Sequence, residues 1–69
     1  MDILQLEGKT ILVDADKYKV HDKPSLVELK IVNVAGEYIK IKYVYTGFEE
    51  WIDVKYFNSR YDIKTVLGV

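Results

Sequence analysis

The stretch YIKIKYVYTGFEEWIDV, residues 38–54, alternates apolar and polar residues on both sides of a Thr-Gly pair. Strict alternation is the signature of a half-buried strand, and a short Gly-containing break between two such runs is the signature of a hairpin. Taking Thr46-Gly47 as a two-residue loop sets Tyr45 against Phe48. Ile41 then opposes Ile52 and Ile39 opposes Val54 on one face. Lys40 opposes Asp53 and Lys42 opposes Trp51 on the other. The first set is a core and the second a charge pair beside a cation–π pair. A slip of one residue would mix the two sets, so the pattern excludes it. By this reading the only tryptophan points away from the core.

The preceding run, Leu26–Val34, pairs with Glu37–Tyr45 through a three-residue loop, Val34-Ala35-Gly36. That register sets Ile31 against Ile39, Leu29 against Ile41 and Val27 against Tyr43 inside. Outside it sets Val32 against Tyr38, Glu28 against Lys42 and Lys30 against Lys40. The inner face is therefore Val27, Leu29, Ile31, Ile39, Ile41, Tyr43, Ile52 and Val54. The outer face carries Glu28, Lys30, Val32, Tyr38, Lys40, Lys42, Val44, Glu49, Trp51 and Asp53.

Further runs at Lys9–Asp14, Lys17–His21 and Tyr61–Leu67 are separated by breakers such as Asp22–Ser25 and Phe57–Arg60. No helical periodicity persists. Close-spaced short strands with tight turns predict an all-β fold in a single domain over residues 1–69. Of Tyr56 and Phe57, adjacent in the last turn, Phe57 is expected in the core and Tyr56 outside.

The segment WIDVKYFNSRYDIKTVL, residues 51–67, resembles the end of SH3-like small barrels, where a meander runs through a 3-10 turn into a closing strand. YTGFEEWI, residues 45–52, is similar to the Tudor and chromo-barrel pattern, with Tyr45, Gly47, Phe48, Glu50, Trp51 and Ile52 matching by type. The resemblance covers about the last two-thirds of the chain. It implies a five- to six-stranded antiparallel SH3-like barrel with a short 3-10 turn before its last strand. The sequence departs from the pattern in a shorter loop and in lacking one aromatic of a methyl-lysine cage. ILVDA, residues 11–15, lacks both tyrosines of the run that proline-binding members carry.

Composition narrows the functional classes. The formal net charge is −1, with acids and bases interleaved, whereas nucleic-acid domains usually carry a basic excess. There is no cysteine for a disulfide or a thiolate metal site. No apolar stretch approaches the roughly 20 residues of a membrane helix. The N-terminus lacks the pattern of a signal peptide, so a cytoplasmic protein is expected. His21, in VHDKP, has no evident nucleophile and reads as a loop residue. Asp14, Asp16 and Asp22 lack the glycine and terminal Glu of a calcium loop. Glu49 and Glu50 alternate across the strand and cannot act as a pair. No glycine-rich phosphate loop is present. The expectation is a non-enzymatic protein with no catalytic residue, metal or cofactor.

The aromatics are the unusual feature. They predict a protein-binding module that uses Trp51, Lys42, Tyr38, Tyr45, Phe48 and Tyr56. One alternative is a phage- or mobile-element-encoded inhibitor of a host protein. Another is a weak nucleic-acid-binding barrel with Lys30, Lys40 and Lys42 beside Trp51 and Tyr38, which the interleaved acids disfavour. Trp51 has a second possible role, as a structural residue capped by Ile3, Leu4 and Leu6.

Overall fold

The alternating runs form strands. The computed structural model describes residues 2–15 and 25–68. They comprise β1 (Thr10–Asp14), β2 (Leu26–Ala35), β3 (Tyr38–Tyr43), β4 (Glu49–Asp53) and β5 (Asp62–Gly68). A 3-10 turn spans Ile3–Gln5, and a helix, α1 (Val54–Arg60), joins β4 to β5. The expected strand Lys17–His21 lies outside the described residues.

All neighbouring strands are antiparallel, in the order β4-β3-β2-β1-β5. β4 and β5 are the two edges, and no ladder joins them. The sheet is open, so the expected SH3-like barrel, with its Tudor-type identity, is not what the chain forms. The reason lies in the connection between the edges. Where the sequence suggested a single 3-10 turn, Asp53 caps a seven-residue α-helix. Its carboxylate accepts from the N–H groups of Lys55 (2.7 Å) and Tyr56 (3.3 Å), two donors that a helix start otherwise leaves unsatisfied. VKYFNSR contains neither Gly nor Pro, so nothing interrupts that turn. The helix turns Phe57 into the core, where it is fully buried.

The inner sheet face is thus covered by inserted side chains. Ile3 and Leu6, from the N-terminal segment, join Phe57 against Ile11, Val13, Leu29, Ile31, Ile39, Ile41 and Ile52. Val27, Val34, Tyr43 and Val54 pack around them, partly buried. The division of residues between inner and outer faces follows the sequence pattern, and Tyr56 is exposed as expected.

The β3–β4 register differs from the expected one by two positions, and the β2–β3 register by two up to Ile31 and by three beyond it. Ile39 opposes Ile52, Lys40 opposes Trp51, and Lys42 opposes Glu49. Thr46-Gly47 is not a two-residue loop. The Tyr43 N–H donates to the Phe48 carbonyl (2.8 Å) and the Gly47 N–H to the Tyr43 carbonyl (2.7 Å), so Val44 to Gly47 form the loop. Gly47 closes it at φ 80°, a conformation that costs a side-chain-bearing residue strain. In the other hairpin, Gly36 and Glu37 form the turn. Leu29 opposes Tyr43, Lys30 opposes Lys42 and Ile31 opposes Ile41. A bulge at Val32 then sets Asn33 against Lys40 and Ala35 against Tyr38. A shift of two preserves the faces because side chains alternate with period two, and beyond the bulge Val34, opposite Ile39, takes the inner face.

Candidate protein-interaction surface

The outer faces of β3 and β4 carry Tyr38, Lys40 and Lys42 on one strand and Glu49, Trp51 and Asp53 on the other. The ladder between the two strands is continuous, so the side chains stand on a fixed frame. Trp51 is 49% exposed and Tyr38 54%. Trp51 sits across from Lys40, not Lys42, and Tyr38, opposite Asp53, is its diagonal neighbour. The expected Lys42–Trp51 pair is therefore replaced. Lys42 stands between Lys30 on one side and Glu49 on the other. The Lys40 Nζ lies 3.2 Å from the Glu49 Oε1. Asp53 directs its carboxylate to the helix cap rather than to Lys40. The cation–π contact among the described residues is on α1, where the Arg60 guanidinium lies 5.6 Å from the Tyr56 ring centre.

The N-terminal segment does not bury the tryptophan. Ile3 and Leu6 belong to the core, Leu4 is exposed, and half of Trp51 remains in solvent.

A second apolar region lies at the end of the β3–β4 hairpin. Tyr45 is almost fully exposed in the loop, and Phe48, also exposed, stacks at a tilt against Tyr43 with ring centres 5.9 Å apart. An open groove of about 510 Å³ runs between Leu26 and Val27 of β2 and Tyr43, Val44, Tyr45 and Thr46, with Glu28 at its side. Tyr43 turns inward. Its hydroxyl lies 3.2 Å from that of Tyr61 and 3.5 Å from the Glu50 Oε2. Burial first, then the hydrogen bond with Tyr61, pushes the Tyr43 hydroxyl well above the ordinary tyrosine range.

The six residues singled out from sequence thus fall in three places. Trp51, Tyr38 and Lys42 share the outer face. Tyr45 and Phe48 mark the hairpin end, and Tyr56 lies on α1, its hydroxyl accepting from the Arg60 Nη1 at 2.9 Å. Leu26 was not singled out as a surface residue, and Val44, expected on the outer face of a strand, is exposed in the loop instead. Reading the loop as two residues kept Val44 in a strand, and nothing local marks Leu26 as exposed.

Glu49 and Glu50 do point to opposite faces, one to Lys40 and the other to Tyr43. His21, Asp16 and Asp22 lie outside the described residues. Asp14 is buried, and its Oδ1 accepts from the Ser25 N–H at 3.2 Å. Among the described residues no group of three or more His, Asp or Glu is placed to hold a metal ion. None of their helices is long and apolar enough to cross a membrane.

No family model, curated protein or solved structure matches the chain. The SH3-like and Tudor-type resemblance accordingly has neither a closed barrel nor a relative to support it.

Proposed function

We propose that this protein is a non-enzymatic protein-binding module, acting in the cytoplasm, whose contact surface is the outer face of β3 and β4. The observation that supports this reading is the placement of Trp51 and Tyr38. Both are large, half-exposed aromatics on paired strands, not on mobile ends. Aromatics with few rotors lose little entropy when a partner covers them, and the frame beneath is already ordered. Lys40, across from Trp51, and Lys42 flank the aromatics with polar groups that give an interface its orientation. Tyr45, Phe48 and Tyr56 lie apart from this face and form its periphery or a separate contact.

The test is quantitative affinity capture from the source cell with the wild-type protein, Trp51→Ala and Tyr38→Ala as parallel baits. Circular dichroism confirms that each bait is folded. An anchoring aromatic contributes about 2 kcal/mol or more, roughly a thirtyfold change in affinity. Proteins retained by the wild type should be strongly depleted on Trp51→Ala. If all three baits retain the same proteins in the same amounts, this face is not the contact surface.

A further inference from the structure

The charges of the outer face are not balanced where they meet. Lys30 and Lys42 stand directly opposite each other on β2 and β3, their Cβ atoms about 5 Å apart by strand geometry. Like charges so placed weaken a sheet. Among the described residues the lysines have little relief. Thr10, the β1 neighbour of Lys30, is uncharged. Glu49, across from Lys42, forms its ion pair with Lys40. Asp53 is engaged by the helix N-terminus. Among the described residues Glu28, two residues before Lys30 on the same face, is the other carboxylate nearby. Neither Lys30 nor Lys42 makes an ion pair among the described residues. The result is a compact positive spot on the outer face of the sheet, with Trp51 diagonal to Lys42 and Tyr38 further along β3.

Resting on the reading of this face as a protein-binding surface, we propose that the partner presents an extended acidic segment. Its carboxylates seat on Lys30 and Lys42, and an adjacent apolar residue packs against Trp51 and Tyr38. An incoming carboxylate relieves the lysine–lysine repulsion, so the cost stored in the free protein is recovered on binding. The spot is too small for a polyphosphate backbone. A nucleic acid tracking past the two lysines meets Glu28 and Glu49, on a chain that is acidic overall. A short run of Asp or Glu matches the charge without extending into those carboxylates.

Panning a random peptide library on the folded wild-type protein tests this. Peptides of about twelve residues reach ~40 Å when extended, enough to cross the 34 Å long axis. The selected peptides should carry two or more acidic residues next to an apolar one. They should bind Lys30→Gln/Lys42→Gln about tenfold more weakly, as loss of two half-exposed charge contacts implies, and the difference should shrink at high salt. That variant should melt no lower than the wild type, because a repulsive pair has been removed. Selection of neutral or basic peptides, or of none, overturns the proposal. So does indifference of acidic peptides to the double substitution, or tighter binding of a single-stranded oligonucleotide than of any peptide. Trp51→Ala separates this idea from the one it rests on. Binding lost in Trp51→Ala but kept in Lys30→Gln/Lys42→Gln retains the aromatic surface and rejects the acidic partner. The reverse result retains the acidic partner and rejects Trp51 as the anchor.

Discussion

The register of the β3–β4 hairpin decides which lysine neighbours Trp51, and an engineered cross-link can test it. The chain has no cysteine, so a new pair has no competitor. Lys42 and Glu49 are directly opposite. Counting outward from the hydrogen-bonded pair Tyr43 and Phe48, they form a non-hydrogen-bonded pair, the closer of the two kinds, at about 4.5 Å between Cα atoms. That separation suits a disulfide. Lys42 and Trp51 are diagonal neighbours, about 7–8 Å apart, beyond easy closure. Lys42→Cys/Glu49→Cys should therefore oxidise in air, while Lys42→Cys/Trp51→Cys should not. The bond closes a loop of about eight residues, for which chain entropy predicts a gain of about 2.5 kcal/mol. In a domain of this size that raises the melting temperature by roughly 10–20 °C. Comparing oxidised with reduced protein of the same variant cancels the lost Lys40–Glu49 ion pair. Mass spectrometry reads the bond, and thermal melts followed by circular dichroism read its effect. Ready oxidation of the Lys42/Trp51 pair, with the Lys42/Glu49 pair staying reduced, would mean that the two-residue loop is correct. Trp51 would then stand beside Lys42.

Phe57→Ala should cost about 3–5 kcal/mol and Ile41→Ala about 2–5 kcal/mol in urea titrations, because both side chains are fully buried; small losses in both would mean that the inner face is misassigned. Asp53→Ala should cost about 1 kcal/mol and Asp53→Asn much less, since Asn caps as well as Asp; equal losses in thermal melts would contradict the capping role. Stability should fall as the pH rises above about 10, because the unfolded chain ionises tyrosine there while folded Tyr43 keeps its proton. Tyr43→Phe should flatten that decline in melts taken at successive pH values, and an unchanged slope would show that Tyr43 is not its source.

The faces of the sheet could be read from sequence and the register could not, for one physical reason. Apolar alternation has period two, so it fixes parity and is blind to shifts of two. Ile39, Ile41 and Ile52 share the core in either register. What separates the registers is loop length, and that depends on whether Val44 and Tyr45 continue the strand or leave it. β-branched and aromatic residues favour the strand reading. The backbone hydrogen bonds at Tyr43 favour the other. The helix was hidden by its shortness. Seven residues with one buried side chain leave no periodicity to detect, although Asp53 before an unbroken helical stretch is a visible cap. Ile3 and Leu6, weighed as one reading of what covers Trp51, lie in the core instead. An open sheet leaves its inner face uncovered, and that larger apolar surface takes them in preference to a single tryptophan.

The position of Trp51 on an edge strand carries a hazard that the neighbouring residues offset. An exposed edge invites pairing with another strand, and an aromatic adds to the attraction. Antiparallel pairing of two β4 strands centred on Trp51 would set Glu49 of each copy against Asp53 of the other, and Glu50 against Ile52. Like charges would meet at both ends of a strand only five residues long. The same carboxylates repel an acidic segment that approaches along the edge. Such a segment is directed across the outer face, where Lys30 and Lys42 are, with Trp51 and Tyr38 at its side. The acids of β4 thus do not simply dilute the lysine stripe. They separate two modes of contact that an exposed tryptophan on an edge would otherwise allow, and the mode that survives is the one in which the side chains, rather than the backbone, choose the partner.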